Sequence, residues 1–146
     1  MSRRFTHAEA ESFLPDLDRI LRSAIELKSE YDQAEQEIQS FQERVMMMGG
    51  VVVDRDRVLE ARTQRDSIAG KLRGVIEQVQ QIGCLIKDLE IGLVDFPTVF
   101  RGSEVYLCWK LGEPAIEYWH GVDEGYRGRK PIDQDFLDHH QGDPAH

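Results

Sequence analysis

From Tyr31 onward the apolar positions run Tyr31, Ala34, Ile38, Phe41, Val45 and Met48, alternating steps of three and four. That spacing turns one stripe of an α-helix toward a partner helix. Leu14, Leu17, Leu21, Ala24 and Leu27 extend the stripe backwards, with one three-residue slip before Tyr31 that would overwind a supercoil locally. Thr6 followed by Glu9 matches a capping box, which predicts a helix start at His7 and places Phe5 to staple onto Ala10. Pro15 either kinks this helix or marks its true start nearby. The first helix is therefore expected over residues 7–48.

Gly49 and Gly50 end that pattern, three valines form a short link, and Asp54 or Asp56 supplies a new N-cap. The stripe then resumes as Val58, Ala61, Arg65, Ile68, Leu72, Val75, Val79, Ile82 and Ile86, with Arg65 its one charged member. A second helix over residues 54–88 follows. At about 1.5 Å per residue the two helices reach roughly 50–60 Å, a long antiparallel, coiled-coil-like hairpin. A narrow seam leaves the flanks of such a hairpin wet, so pairing of two copies through their helices into a homodimer is expected.

After Lys87 the pattern changes to short runs rich in Val, Tyr, Phe and Trp. "GLVDFPTV", "EVYLCWKL" and "AIEYWHG" are separated by the turn sequences "FRGS" and "GEP". They predict a three-stranded antiparallel meander over residues 91–132, which makes the fold class α+β within a single domain. Alternation puts Val105, Leu107 and Trp109 on one face and Glu104, Tyr106, Cys108 and Lys110 on the other. Which face Ile116, Tyr118 and His120 join depends on strand register, which the sequence does not encode. Residues 133–146 read as a polar, flexible tail.

Composition changes this picture little. With 40% hydrophobic and 31% charged residues, 12 Gly and 5 Pro, the chain lies in the globular, helix-rich range. Its net charge of -9 comes from both halves. An acidic chain presents phosphates with a poor surface, so nucleic-acid partners are excluded. No apolar run reaches membrane-spanning length and the N-terminus lacks a signal-type apolar region, which points to a cytoplasmic protein with no membrane partner. Cys84 and Cys108 are expected as free thiols, because a core this size needs no disulfide framework.

Chemistry concentrates in the meander, where seven of the 12 aromatic residues fall between Phe96 and Tyr126. A small sheet needs aromatics for its core, which accounts for about half of them. Asp95, Cys108, Glu113 and His120, with Asp123 and Glu124 just beyond, offer the mixed oxygen, sulfur and nitrogen donors that zinc or iron accepts. The chain has no C-x-x-C pair and no H-E-x-x-H. Glu117 and His120 in "EYWH" have di-iron spacing, but that motif needs a helix and a second copy. Cys108 with His120 forms a nucleophile and base only if neighbouring strands join them. No hydrolase elbow, Walker loop or dinucleotide fingerprint occurs. Arg127, Arg129 and Lys130 make "GYRGRK" locally basic, suited to pairing with nearby acids and clamping the C-terminal segment to the sheet. His139 and His140 resemble a metal pair but sit in the polar tail.

The run from Cys84 to Ile132, above all "KDLEIGLVDFP", "VYLCW", "GEP" and "YWH", together with "FTHAEAESFLPDL" near the N-terminus, resembles the bacterial domain-of-unknown-function family 2203. The likeness implies a small bacterial cytoplasmic protein and carries no activity, cofactor or catalytic residue. From the residues themselves the first expectation is a non-enzymatic interaction or scaffold protein, with a possible protein partner and no cofactor. The competing expectation is a metal-binding protein, an enzyme or not, with a mononuclear zinc or iron site at Asp95, Cys108, Glu113 and His120.

Overall fold

In a computed structural model the described residues are 3–47 and 55–144. The chain divides into two compact units, one formed by Met1–Arg22 with Glu77–His146 and the other by Ser23–Ile76. Helices come first and an antiparallel sheet follows, an α+β chain.

The capping box forms as the sequence predicts. Thr6 Oγ1 accepts the Glu9 N–H and the Glu9 carboxylate accepts the Thr6 N–H, opening α1 (His7–Ser12). The first helix is not continuous from 7 to 48, because Phe13 closes α1 and α2 (Leu14–Met47) starts afresh. Pro15 sits in the first turn of α2, where its missing N–H costs nothing. Among the described residues of α2, Leu17, Leu21, Ala24, Ala34, Ile38 and Phe41 are buried along the stripe, and Ile20 is buried beside it.

α3 runs Arg55–Ile82, shorter than the expected 54–88. Gly83 ends it with φ +102, a left-handed conformation that glycine adopts without a Cβ penalty, and its N–H closes back on Val79. Ile86 continues the apolar rhythm of α3 but belongs to a strand. Arg65, the odd member of the stripe, is half-buried and places Nη1 3.0 Å from Glu35 Oε1 of α2. The bend expected at residues 49–54 lies outside the described residues.

Among the described residues the sheet has six strands rather than three: β1 (Leu85–Asp88), β2 (Leu93–Phe100), β3 (Ser103–Lys110), β4 (Tyr118–Gly121), β5 (Lys130–Pro131) and β6 (His140–Gln141). The order is β1-β2-β3-β4-β5, with β6 also on β2. β5 and β6 have two residues each, too few to show a period. The β2–β3 hairpin turns at Arg101 and Gly102, both at positive φ, the geometry that suits the strands' twist. On its other edge β2 carries β1 at its start and β6 at its end. Pro97, which has no N–H to give a ladder, falls in the gap between them, and its carbonyl takes the Phe5 N–H at 2.7 Å.

Register assigns the faces. One carries Val94, Phe96, Thr98, Val105, Leu107 and Trp109, all buried. Phe5 meets Phe96 edge-on there, and Phe136 stacks on Phe100. Phe136 comes from α4 (Gln134–His139), capped by Asp133, so residues 133–144 are a packed element and not the polar tail that composition suggested. His140 Nε2 accepts the His7 N–H while Nδ1 donates to the Leu137 carbonyl. Both nitrogens are thereby committed to backbone groups, and neither is left for a metal.

Candidate metal centre

The opposite face of the sheet holds the polar residues. Asp95 on β2 pairs directly with Cys108 on β3, and His120 on β4 pairs with Tyr106, one pleat from Cys108. All three side chains therefore project to the same side, and period-two alternation with this register leaves no other arrangement. One ligand atom from each of Asp95, Cys108 and His120 lies within 4.8 Å of the others. All three residues are buried.

His120 Nε2 lies 3.0 Å from both Asp95 carboxylate oxygens, and Nδ1 lies 2.8 Å from the Gly121 carbonyl oxygen. Both ring nitrogens thus face acceptors. A neutral imidazole has one N–H to give. If Nδ1 donates it to Gly121, the Nε2 lone pair points at a carboxylate, and a cation, either a proton or a metal ion, has to lie between them. Cys108 is a neutral thiol here: burial foremost, then the neighbouring Asp95 charge, push it up to about 12, with Arg129 pulling the other way. A thiol held protonated is a poor unaided nucleophile, which weighs against a Cys108–His120 catalytic pair.

Of the four candidate ligands the structure brings three together and places the fourth elsewhere. Glu113 lies in the turn after β3, where its carboxylate accepts the Lys110 N–H at 2.7 Å and meets Arg129 Nη1 at 3.0 and 3.2 Å. Glu124 accepts the Gly121 N–H and pairs with Lys130 at 2.7 Å, and these bonds hold its carboxyl below the usual range. Asp123 is exposed.

Arg129 was legible only as part of a basic loop. Its guanidinium lies 4.1 Å from the Tyr118 ring centroid and 4.3 Å from that of Tyr126, and its charge acts on the Cys108 thiol. Tyr106 stands beside His120 at 5.5 Å between ring centroids, and burial together with the Glu104 and Asp95 charges raises its hydroxyl pKa. Alternation already put Tyr106 on the Cys108 face, and register brings Tyr118 and His120 to it.

Among the described residues no helix is long and apolar enough to cross a membrane. No curated protein and no solved structure matches the chain. Residues 3–132 match the family described as uncharacterized conserved protein DUF2203, a span that takes in α1 to β5 and every residue of the centre just described, and the chain belongs to that family.

Proposed function

We propose that the chain binds one divalent transition metal ion through Asp95, Cys108 and His120, with zinc the best fit to an oxygen, sulfur and nitrogen donor set. The observation that carries this reading is His120, whose Nε2 faces Asp95 while Nδ1 is occupied by a backbone carbonyl. A hydrogen bond from the other ring nitrogen to a backbone carbonyl is what fixes the tautomer of a metal-bound histidine. Charge supports the same reading. A dication with one carboxylate and one thiolate is neutral overall, so the complex avoids the cost of a net charge in a buried site. Three protein ligands leave a fourth position for water or an exogenous ligand, the ligand count of catalytic zinc sites.

Metal analysis of purified protein should find one equivalent of zinc, and cobalt in its place should show a thiolate charge-transfer band. Loading displaces the Cys108 proton, so occupancy should rise with pH and protons should be released into weakly buffered solution. Cys108→Ser should remove the charge-transfer band, and His120→Gln should abolish stoichiometric binding. Metal-free protein that takes up neither ion would end this reading.

A second reading, the interaction or scaffold role of a helical hairpin that dimerises, draws on the Ser23–Ile76 unit. There Phe41, Gln42, Val45, Met46 and Val58 line an open groove of about 460 Å³, with Met46, Met47 and Leu59 exposed. Exposed apolar groups gathered at one place favour a partner surface.

A further inference from the structure

We propose that the connection between β4 and β5, residues 122–129, is a gate over the Asp95–Cys108–His120 cluster, latched shut by the Arg129–Glu113 ion pair. As a control on metal entry it rests on the metal-binding reading above, although its opening is measurable in metal-free protein.

The cluster is closed as it stands, with Asp95 and Cys108 at 1% and 0% exposure. The connection lies across the face that carries it. Its Arg129 stacks on Tyr118, the β4 partner of Cys108, and Lys110 of β3 lies 5.9 Å from the ring centroid of its Tyr126. The backbone of this segment has no ladder. Among the described residues its backbone bonds are Glu124 N–H to Gly121 O, Gly128 N–H to Gly125 O and Arg129 N–H to Tyr126 O, which close on the segment itself or on its first neighbour. Apart from that bond to Gly121, side chains tie it down, and a segment held in that way opens locally well below the cost of global unfolding.

The latch is the strongest of those ties. Arg129 Nη1 meets both Glu113 oxygens, and the pair is mostly shielded, at 12% and 21% side-chain exposure. Glu113 is itself anchored to the sheet through the Lys110 N–H. It also neutralises the guanidinium that stands beside Cys108. The Arg129 charge opposes an incoming metal cation, and release of the latch takes that charge away with the segment.

Glu113→Gln tests the gate, because it keeps an oxygen for the Lys110 N–H and loses only the charge of the latch. Metal-free protein is alkylated with N-ethylmaleimide in its native state, and the two cysteines are followed separately by peptide mass spectrometry. Cys84, buried outside the gated face, reports opening of the rest of the unit. The expected result is Cys108 alkylation about tenfold faster or more in Glu113→Gln, as loss of a charged hydrogen bond implies, with Cys84 unchanged. Tyr126→Ala provides a second variant, with the same expectation. Parallel acceleration at both cysteines, or no acceleration at Cys108 in either variant, would overturn the gate. Zinc binding with unchanged alkylation keeps the metal reading and removes the gate. Selective acceleration in a chain that takes up no zinc keeps the gate and removes the metal.

Discussion

At the scale of single residues the two thiols make the sharpest statement. Cys84 is 2% exposed and its thiol makes a long contact of 3.7 Å to the Val79 carbonyl, and burial pushes its pKa up to about 12 from 9.0. The sign follows from linkage. In the unfolded chain the thiol ionises near its ordinary value, while the folded thiol keeps its proton to about pH 12. The unfolded state therefore binds fewer protons between pH 9 and pH 12, and stability falls as pH rises through that window. Cys108 contributes in the same direction. Urea unfolding under reducing conditions should show stability declining above pH 9, with a shallower decline in Cys84→Ala than in the natural chain. An identical slope in the two proteins would mean that the buried Cys84 is not the source.

At the scale of elements α4 shows how much a short segment holds. Phe136 is fully buried, stacked 4.7 Å from Phe100 and 5.1 Å from Trp119 between ring centroids, and Asp133 caps its helix. β6 follows at once and pairs with β2. Phe136→Ala should cost about 3–5 kcal/mol in urea unfolding and should speed amide exchange at Gln141, while β3 amides keep their protection. Loss of stability below about 1 kcal/mol would show that the pocket refills or that α4 contributes little. Such an element was hard to see beforehand because one aromatic among acids and histidines has no period. The long helices and the β2–β3 hairpin were legible, since a stripe at three-four spacing and a turn with glycine both leave local marks. The end of α3 was not, because Ile86 keeps the helical rhythm past Gly83 and only the glycine's backbone conformation interrupts it. The site divides along the same line. Asp95, Cys108 and His120 were identifiable by residue type, but their convergence depends on register, and Glu113 stands apart from them because its turn partners, Lys110 and Arg129, are set by tertiary structure.

At the scale of the whole molecule the open question is what meets the exposed apolar end of the Ser23–Ile76 unit. Met46 and Met47 are 83% and 87% exposed and Leu59 57%, beside the groove lined by Phe41, Val45 and Val58. A chain with a net charge of -9 repels its own copies at long range, so self-association needs a short-range apolar contact to offset that repulsion. A two-fold pairing presents the same patch from both partners, and flexible methionine side chains fit such a surface to its own copy. Light scattering after gel filtration should therefore give about twice the chain mass of 16.8 kDa, and added salt should strengthen the association by screening the like charges. Met46→Glu with Leu59→Glu should return a monomer whose helical circular dichroism is unchanged. A natural chain that elutes and scatters as a monomer at every concentration and salt level would remove the dimer, and would leave the groove without a second copy of this chain as its occupant.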